Sequence, residues 1–169
     1  MQSETLAFGI DIGISTSCCF QYQTASSPMN PTTSSYLIPS LITVGEHIRV
    51  GNIASRYVEN KNYCMIYDIK RIIGKTVDMI SDKEKEQWPF EVRSVENTTV
   101  ITIPNHIKSK YHDFRPEDLY CMLVKSMLPS DFDASKSRKV AVVTVPEKFN
   151  DVQRAATKRA MSLLNFEIG

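Results

Sequence analysis

Two apolar runs near the start of the chain have the length and boundaries of β-strands. Residues 5–12 form a run that ends at Gly13, and residues 17–22 form a second one. The short link over residues 13–16 predicts a hairpin between them. Residues 23–35 are rich in Ser, Thr, Pro and Asn, and their prolines exclude a central strand, so we predict an exposed loop there.

The last third of the chain alternates between helical and strand patterns. Pro116 opens a helix whose apolar residues recur at helical spacing, and Pro129 stops it. Residues 140–145 are continuously apolar, which predicts a strand buried on both faces. Asn150 and Asp151 then cap a helix that we expect to run to about Leu164. Early strands, a crossover helix and a returning strand indicate α/β architecture.

The middle of the chain is predicted to consist of short elements. Residues 41–50 and residues 90–103 each have the pattern of a hairpin. Residues 51–60 are a short helix candidate, and residues 68–74 predict a helical turn that is closed by a glycine. The charged stretch over residues 82–89 is typical of a turn.

Composition places the chain among globular proteins. Its 169 residues are 42% hydrophobic and 23% charged, which excludes a fully disordered chain and is enough for one domain core. The net charge of +1 argues against nucleic acid as a partner. No apolar stretch approaches the roughly 20 residues of a membrane span, and no secretory leader is recognisable. We therefore expect a cytoplasmic protein with no membrane partner.

Several classes of metal site and enzyme active site find no support in the sequence. The four cysteines lack C-x-x-C spacing and the three histidines match no metal-ligand spacing, so we interpret the cysteines as small buried residues of a reducing compartment. Signatures of serine hydrolases, of the P-loop and of dinucleotide-binding turns are absent from the sequence. Residues 1–48 contain neither Lys nor Arg, so Asp11 is one of the few charges in this part of the chain.

The segment around Asp11 is the strongest candidate for chemistry. Asp11 lies near the end of an apolar strand, and Gly13, Ser15 and Thr16 follow in a tight turn. Such a turn aims several backbone N–H groups at one point, and its hydroxyls add donors. The segment is therefore a candidate phosphate cradle, with Asp11 facing Mg²⁺ through water. The alternative is an ordinary hairpin turn without a ligand.

Two other segments have both a structural and a functional interpretation. Lys70 and Arg71 are either a solvated face or a positive charge that reaches a phosphoryl group. Residues 146–151 join a strand to a capped helix, and the end of a strand beside a helix N-terminus is also where α/β folds bind ligands.

A series of short motifs follows a fixed order along nearly the whole chain. They are Gly9-Ile-Asp-Ile-Gly13 with Ser17-Cys18, Ile38-Pro-Ser40, Val50-Gly51, Asp68-Ile-Lys-Arg-Ile-Ile-Gly74, Trp88-Pro-Phe90, Pro116-Glu117, Val140-Ala-Val-Val-Thr-Val-Pro146, Phe149-Asn-Asp151, Gln153-Arg154 and Ala156-Thr-Lys158. In this order they resemble the N-terminal part of the seventy-kilodalton heat-shock protein (DnaK-type) chaperones. The resemblance is weakest over residues 23–35.

The resemblance implies an actin-like ATPase (ribonuclease H-like) fold, in which two lobes close over ATP or ADP with Mg²⁺, and K⁺ is a further candidate ion. This chain corresponds to the first lobe, a mixed sheet with flanking helices. Residues 1–38 and 112–169 are expected to form the larger, nucleotide-facing subdomain IA, and residues 39–111 the smaller subdomain IB.

The resemblance also implies roles for individual residues. Asp11 would lie near Mg²⁺, and the turn formed by Gly13, Ile14, Ser15 and Thr16 would wrap the phosphates. Lys70 would stabilise charge at the transferred phosphoryl group and help to orient the attacking water.

A second group of residues is expected to communicate with other domains and proteins. Pro146 and Arg154 match residues that relay the nucleotide state, whereas Asn150 and Asp151 lie where the interdomain linker and J-domain co-chaperones would approach. Nucleotide exchange factors are further expected partners. Unfolded polypeptides would bind through a C-terminal domain that lies outside this sequence.

The chain departs from the family pattern at several positions. Ile14 stands where a Thr is usual, which removes a hydroxyl near the γ-phosphate, while Ser15 keeps the next hydroxyl. Lys148 replaces a usual Tyr, the Ser/Thr/Pro-rich loop over residues 23–35 replaces a strand-like segment, and Pro129 interrupts a helix that normally continues.

Two functions therefore stay open at the level of sequence. One is an ATP-dependent protein-folding chaperone, and the other is a degenerate, non-hydrolysing module that docks co-chaperones or a partner lobe. Because one lobe forms only one wall of the nucleotide cleft, we expect this chain alone to bind ATP weakly or not at all. The face that would contact the other lobe is expected to make the isolated lobe self-associate.

Overall fold

A five-stranded mixed sheet organises the larger part of the chain. The computed structural model describes residues 5–23, 32–129 and 138–168. The strands of this sheet lie in the order β11-β10-β1-β2-β3. They are β1 (Thr5–Ile12), β2 (Thr16–Gln23), β3 (Thr32–Pro39), β10 (Arg138–Thr144) and β11 (Glu167–Ile168). β10 runs parallel to β1 and to β11, whereas β2 is antiparallel to both β1 and β3.

Two helices pack on one face of this sheet. They are α4 (Pro116–Ser126) and α5 (Asp151–Ser162). The even-numbered residues of β1, Phe8, Ile10 and Ile12, are buried in the same core as the apolar faces of both helices. Gly9, between them, is exposed on the opposite face, as the period of two along a strand requires.

The short elements between β3 and α4 form two three-stranded sheets. The first has the order β5-β4-β6 and the second the order β7-β8-β9. Their strands are β4 (Ile42–Val44), β5 (Arg49–Val50), β6 (Cys64–Ile66), β7 (Glu91–Val95), β8 (Thr98–Thr102) and β9 (Asp113–Phe114). The α-helices of this region are α1 (Gly51–Ala54), α2 (Ile69–Ile72) and α3 (Asp82–Lys85), and two short 3₁₀ helices cover Ser55–Tyr57 and Val77–Met79.

Most predicted elements are confirmed, and the reasons are local. Glu96 and Asn97 both adopt positive φ angles, 49° and 62°, which is the two-residue turn that suits a β-hairpin. Asn150 caps α5 and forms a capping box with Gln153. Gly74 closes the predicted helical turn with a φ of 68°.

Three predictions were wrong in detail. The strand at residues 140–145 is not buried on both faces, because Ala141 is buried while Val142 is 65% exposed. The predicted loop over residues 23–35 ends earlier, since β3 already begins at Thr32; residues 24–31 lie outside the described part of the chain. The charged stretch 82–89 contains a short helix, α3, which Ser81 and Glu84 start with a capping box.

Candidate functional site

Three elements bring a carboxylate, an ammonium group and a hydroxyl together. Asp11 lies at the end of β1, and the parallel register of β10 places Thr144 directly opposite it. The Thr144 hydroxyl donates a hydrogen bond of 2.6 Å to Asp11 Oδ1. The Lys70 ammonium group lies 3.3 Å from the same oxygen. We call Asp11, Lys70 and Thr144 the acid–base cluster.

The two charges of the cluster differ in their exposure to water. The Lys70 side chain is 14% exposed, whereas that of Asp11 is 47% exposed. Within the described part of the chain, Asp11 Oδ2 makes no hydrogen bond. One carboxylate oxygen is therefore held by the protein, and the other is free to contact a water or a ligand.

Lys70 owes its position to the way in which α2 begins. The residue before the helix, Asp68, has a left-handed conformation with a φ of 60°. Its carboxylate accepts a 3.2 Å hydrogen bond from the indole nitrogen of Trp88 and lies 3.6 Å from the Arg71 side chain. Because Ile69 beside Lys70 is fully packed in the core, the helix cannot rotate freely. The solvated-face alternative therefore fits Arg71 but not Lys70.

The turn after Asp11 is tight and is tied to the neighbouring strand. The Gly13 N–H donates to the Thr16 carbonyl at 3.1 Å, and a Cβ atom on Gly13 would lie only 2.2 Å from that oxygen. The Ser15 carbonyl accepts from the Ser40 N–H at 2.9 Å, and the Ser17 and Ser40 hydroxyls, both buried, form a 2.7 Å hydrogen bond. A larger residue than glycine at position 13 would force this turn open.

The turn has donors that the described residues do not use. The N–H groups of Ile14 and Ser15 donate no hydrogen bond within the described part of the chain. The side chains of Ile14, Ser15 and Thr16 are all exposed. Free amides and hydroxyls a few residues from a half-exposed carboxylate are a donor set that suits a phosphate and a hydrated Mg²⁺, so the residues present fit Mg-ATP.

Tyr120 of α4 approaches the acid–base cluster from the core side. Its side chain is 2% exposed. Burial, together with the negative charge of Asp11, raises the pKa of the Tyr120 hydroxyl far above its usual value. The hydroxyl is therefore neutral at physiological pH and adds no charge near the cluster.

The loop that follows Thr144 at the end of β10, here called the strand exit, contains a second group of predicted residues together with the start of α5. Arg154 of α5 donates to the carbonyl oxygens of Phe149 and Glu147 at 3.1 and 3.3 Å, which fixes the loop that follows Pro146. Asp151, at the start of α5, is exposed. These residues do not contact Asp11 or Lys70, but only one residue separates Thr144 from Pro146, so the two groups are joined by continuous backbone.

A cavity of about 230 Å³ lies next to this strand exit. Arg154 and Lys158 contribute its cationic side chains, and Val143, Met161 and Ile168 contribute apolar surface. None of the residues that line this cavity belongs to the acid–base cluster.

Sequence reasoning missed Thr144 and Ser40. Thr144 is the one hydroxyl residue within the run 140–145, but only the register of β10 against β1 shows that it faces Asp11. Ser40 lies 23 residues from its partner Ser17, and nothing local signals that pairing. Burial of Ser17 and Ser40 would indicate that they form a pair only once the order of strands in the sheet is known.

Two of the four cysteines, Cys19 and Cys64, are buried as predicted, whereas Cys18 and Cys121 are half-buried. Burial raises the pKa of the Cys19 thiol to about 11, with a smaller contribution from Cys18, and burial raises the pKa of the Cys64 thiol to about 11. Both thiols stay protonated at neutral pH and are poor nucleophiles and metal ligands. Over residues 5–23, 32–129 and 138–168, no group of His, Cys, Asp and Glu is arranged to hold a metal ion.

No helix in the described ranges has the length and apolar character required to cross a membrane.

Comparison with known proteins assigns the family. The family model described as Hsp70 protein matches residues 7–168. A ribosome-associated molecular chaperone of Saccharomyces cerevisiae is 29% identical over an alignment of 165 positions, and the match covers 96% of this chain and 27% of that protein. The ribosome-associated molecular chaperone of Zygosaccharomyces rouxii is 30% identical over 166 residues, with the same shares of both chains.

A relative from a third organism gives a similar match. The heat shock cognate HSP70 protein of Trypanosoma brucei brucei is 31% identical over an alignment of 171 positions, and the match covers 96% of this chain and 24% of that protein. The chain thus spans about a quarter of the length of the curated relatives that it matches. Because the family model covers nearly the whole chain and the motifs lie in one mixed α/β fold, the chain belongs to the Hsp70 family and has the actin-like fold of its nucleotide-binding domain.

Proposed function

We propose that this chain forms the phosphate- and magnesium-holding lobe of an ATP-dependent molecular chaperone. The observation that supports it best is the position of Asp11 Oδ1 between Lys70 Nζ at 3.3 Å and the Thr144 hydroxyl at 2.6 Å. This arrangement fixes a carboxylate beside a turn with unused N–H groups. A site of this kind holds a cation with the acid and a phosphate with the backbone.

Each residue of the site has a distinct task in this proposal. Asp11 would face Mg²⁺ with its free oxygen through water, and the turn at residues 13–16 would donate to the phosphates. Lys70, kept close to Asp11 by their ion pair, places its positive charge where the transferred phosphoryl group becomes more negative. Bound Mg-ATP supplies the phosphoryl group and the cation that screens its charge.

The lobe is proposed to consist of two subdomains. Residues 1–38 and 112–169 would form subdomain IA, which includes the five-stranded sheet and holds Asp11. Residues 39–111 would form subdomain IB, which holds Lys70. The cluster then joins the two subdomains, so a change at the nucleotide alters the contact between them.

The strand exit is proposed to carry the signal outward. Pro146 and Arg154 would respond to the nucleotide through Thr144, and Asn150 and Asp151 would lie at the docking surface for an interdomain linker or a J-domain co-chaperone. Unfolded polypeptides and nucleotide exchange factors are partners of the longer polypeptide in this proposal. The curated relatives, which are named chaperones or heat shock proteins, support this direction.

A second function is favoured by one residue. Ile14 is 47% exposed in the phosphate turn and offers a hydrocarbon where the family pattern has a hydroxyl. Loss of one donor that faces a developing negative charge lowers a catalysed rate by about 10²–10³-fold. The alternative is therefore a lobe that binds a partner without hydrolysing ATP.

Two measurements separate these functions. Calorimetry of the chain with Mg-ATP should show weak binding or none, and Mg²⁺-dependent phosphate release should appear when the chain is combined with the C-terminal lobe of an Hsp70 relative. Lys70→Ala should abolish that release, whereas Lys83→Ala, which removes an exposed lysine of α3, should leave it unchanged. A complex that assembles but releases no phosphate would support the docking module instead.

A further inference from the structure

Asp11 receives two contacts on the same carboxylate oxygen, and these contacts differ in length. The Thr144 hydroxyl donates to Oδ1 at 2.6 Å, and Lys70 Nζ lies 3.3 Å from Oδ1. Charge-assisted O–H···O⁻ bonds are about 2.5–2.7 Å long, and N⁺–H···O⁻ bonds are about 2.7–2.9 Å long. The hydroxyl contact therefore has the length of a strong bond of its kind, whereas the ammonium contact is longer than usual. Thr144 constrains the position of Oδ1 more tightly than Lys70 does.

An ammonium group by itself does not choose between the two oxygens of a carboxylate. The last torsion of an aspartate side chain is broad and roughly two-fold, so its carboxylate rotates at little cost. Lysine ends in a compact charge with three rotatable donors on a flexible stem, and such a group can contact both oxygens at once. With Lys70 as its only partner, Asp11 would have no oxygen reserved for a ligand.

The direction of the Thr144 hydroxyl is set by the sheet. β10 lies between β1 and β11, and its parallel register with β1 continues to the pair of Asp11 and Thr144. Side chains of such a pair project from the same face of the sheet, and a β-branched side chain has few χ1 rotamers. The hydroxyl therefore reaches Asp11 from a fixed direction.

The exposure of Thr144 separates a role in positioning from a role in packing. Thr144 is exposed at the end of β10, so its hydroxyl neither fills the core nor satisfies a buried polar group. Substitutions at exposed positions usually have small effects on stability. The hydrogen bond to Asp11 is therefore a feature of the site and not a requirement of the fold.

We propose that Thr144 is a positioning residue that decides which oxygen of Asp11 faces the ligand. It keeps both donors on Oδ1 and leaves Oδ2 without a hydrogen bond from the described part of the chain. Oδ2 would then face hydrated Mg²⁺, and Lys70, held by the longer contact, would stay able to reach a phosphoryl group. The statement about Mg²⁺ and phosphate rests on the proposed function, whereas the orientation of Asp11 does not.

Crystal structures of the wild-type chain and of Thr144→Val, both without nucleotide, test the orientation. Valine keeps the shape of threonine and removes the hydroxyl. The wild type should show one Asp11 oxygen that contacts both Thr144 and Lys70, and a second oxygen that contacts neither. In Thr144→Val the carboxylate should rotate until Lys70 Nζ lies within hydrogen-bond distance of both oxygens. Thr144→Ser should restore the wild-type orientation.

Phosphate release by the chain combined with the C-terminal lobe of an Hsp70 relative tests the consequence for Mg²⁺. Loss of a residue that orients a metal-facing group lowers metal affinity or activity by about 10–100-fold. Thr144→Val should therefore raise the Mg²⁺ concentration for half-maximal release about 10-fold and lower kcat. The KM for ATP at saturating Mg²⁺ should change less than about twofold. Thr144→Ser should restore the Mg²⁺ dependence, and the matched control Thr98→Val, which removes an exposed hydroxyl from β8, should behave like the wild type.

Three results would overturn the inference. They are an Asp11 carboxylate that keeps its orientation in Thr144→Val, a wild-type carboxylate whose two oxygens both contact Lys70, and a Mg²⁺ dependence that is unchanged in Thr144→Val. Absence of release from the wild-type combined lobes would refute the proposed function alone, since the crystal structures still decide the orientation of Asp11. If circular dichroism shows that Thr144→Val does not fold, Thr144→Ala takes its place and must give the same rotation and the same Mg²⁺ dependence.

Discussion

The acid–base cluster predicts an unequal response to loss of its two charges. Asp11→Asn keeps the shape of the side chain but leaves the Lys70 ammonium group, which is only 14% exposed, without an opposite charge. Lys70→Met removes the less exposed charge and leaves Asp11, which is 47% exposed, to water and to the Thr144 hydroxyl. Loss of the acid should therefore destabilise the fold more than loss of the base.

Known magnitudes allow the size of this difference to be worked out. Exposed ion pairs contribute about 0–1 kcal/mol, and removal of one partner from a fully buried pair costs about 3–5 kcal/mol. This pair is intermediate, since one of its members is mostly covered and the other is half exposed. We expect Asp11→Asn to lower the free energy of unfolding by about 1–2 kcal/mol, and Lys70→Met to change it by less than about 0.5 kcal/mol.

Urea unfolding of the wild type, both single variants and the double variant measures this response. Protein concentrations are kept where sedimentation shows only monomer. The double variant should resemble Lys70→Met, so the coupling free energy between the two sites should equal the cost of Asp11→Asn, about 1–2 kcal/mol. Additive effects, or a larger cost for Lys70→Met than for Asp11→Asn, would refute the electrostatic account of the cluster.

Three further outcomes follow from other parts of the structure. Gly74→Ala should lower the free energy of unfolding in urea by about 2–4 kcal/mol, because φ at Gly74 is 68° and the new Cβ would lie 2.5 Å from the backbone of α5. Gly9→Ala is the control: the nearest contact of its new Cβ is at 4.0 Å, so its free energy of unfolding should stay within about 1 kcal/mol of the wild type. The free energy of unfolding should fall between pH 9 and pH 11, because the thiols of Cys19 and Cys64 lose protons in the unfolded chain that they keep in the folded one. Each thiol should lower it by about 1.4 kcal/mol at pH 10. Replacement of both cysteines by alanine should flatten the slope of the free energy of unfolding against pH. Ile14→Thr should raise phosphate release by the combined lobes about 10²-fold if the missing hydroxyl limits the rate, and an unchanged rate would place the limit elsewhere.

The local elements were largely predictable from the sequence. The capped start of α5, the two-residue turn of the β7–β8 hairpin and the glycine after α2 depend on interactions between residues that are close in the chain. Element type at these places therefore follows from local chemistry. The strand β3 was predictable only in part, because its first residues are polar and show no alternation of apolar and polar positions.

The sequence predicted candidate residues for the site but not their arrangement in space. The motifs around Asp11, Lys70 and Pro146 drew attention to these segments, but their roles and the cytoplasmic location of the protein stay predictions. Thr144 shows what was missing, since it lies 133 residues from Asp11 in the chain and 2.6 Å from it in the fold.

The amino-acid sequence alone determined the strands, the capped helices, the glycine turn and the family resemblance, because each depends on local pattern or on ordered motifs. Only the tertiary structure decided which face of the sheet is covered by helices, which lysine is mostly shielded from water and which hydroxyl donates a hydrogen bond to Asp11. These properties depend on the register of strands that are far apart in the chain. A shift of that register by one residue would turn Asp11 to the opposite face of the sheet, although every local signal in the sequence would be unchanged.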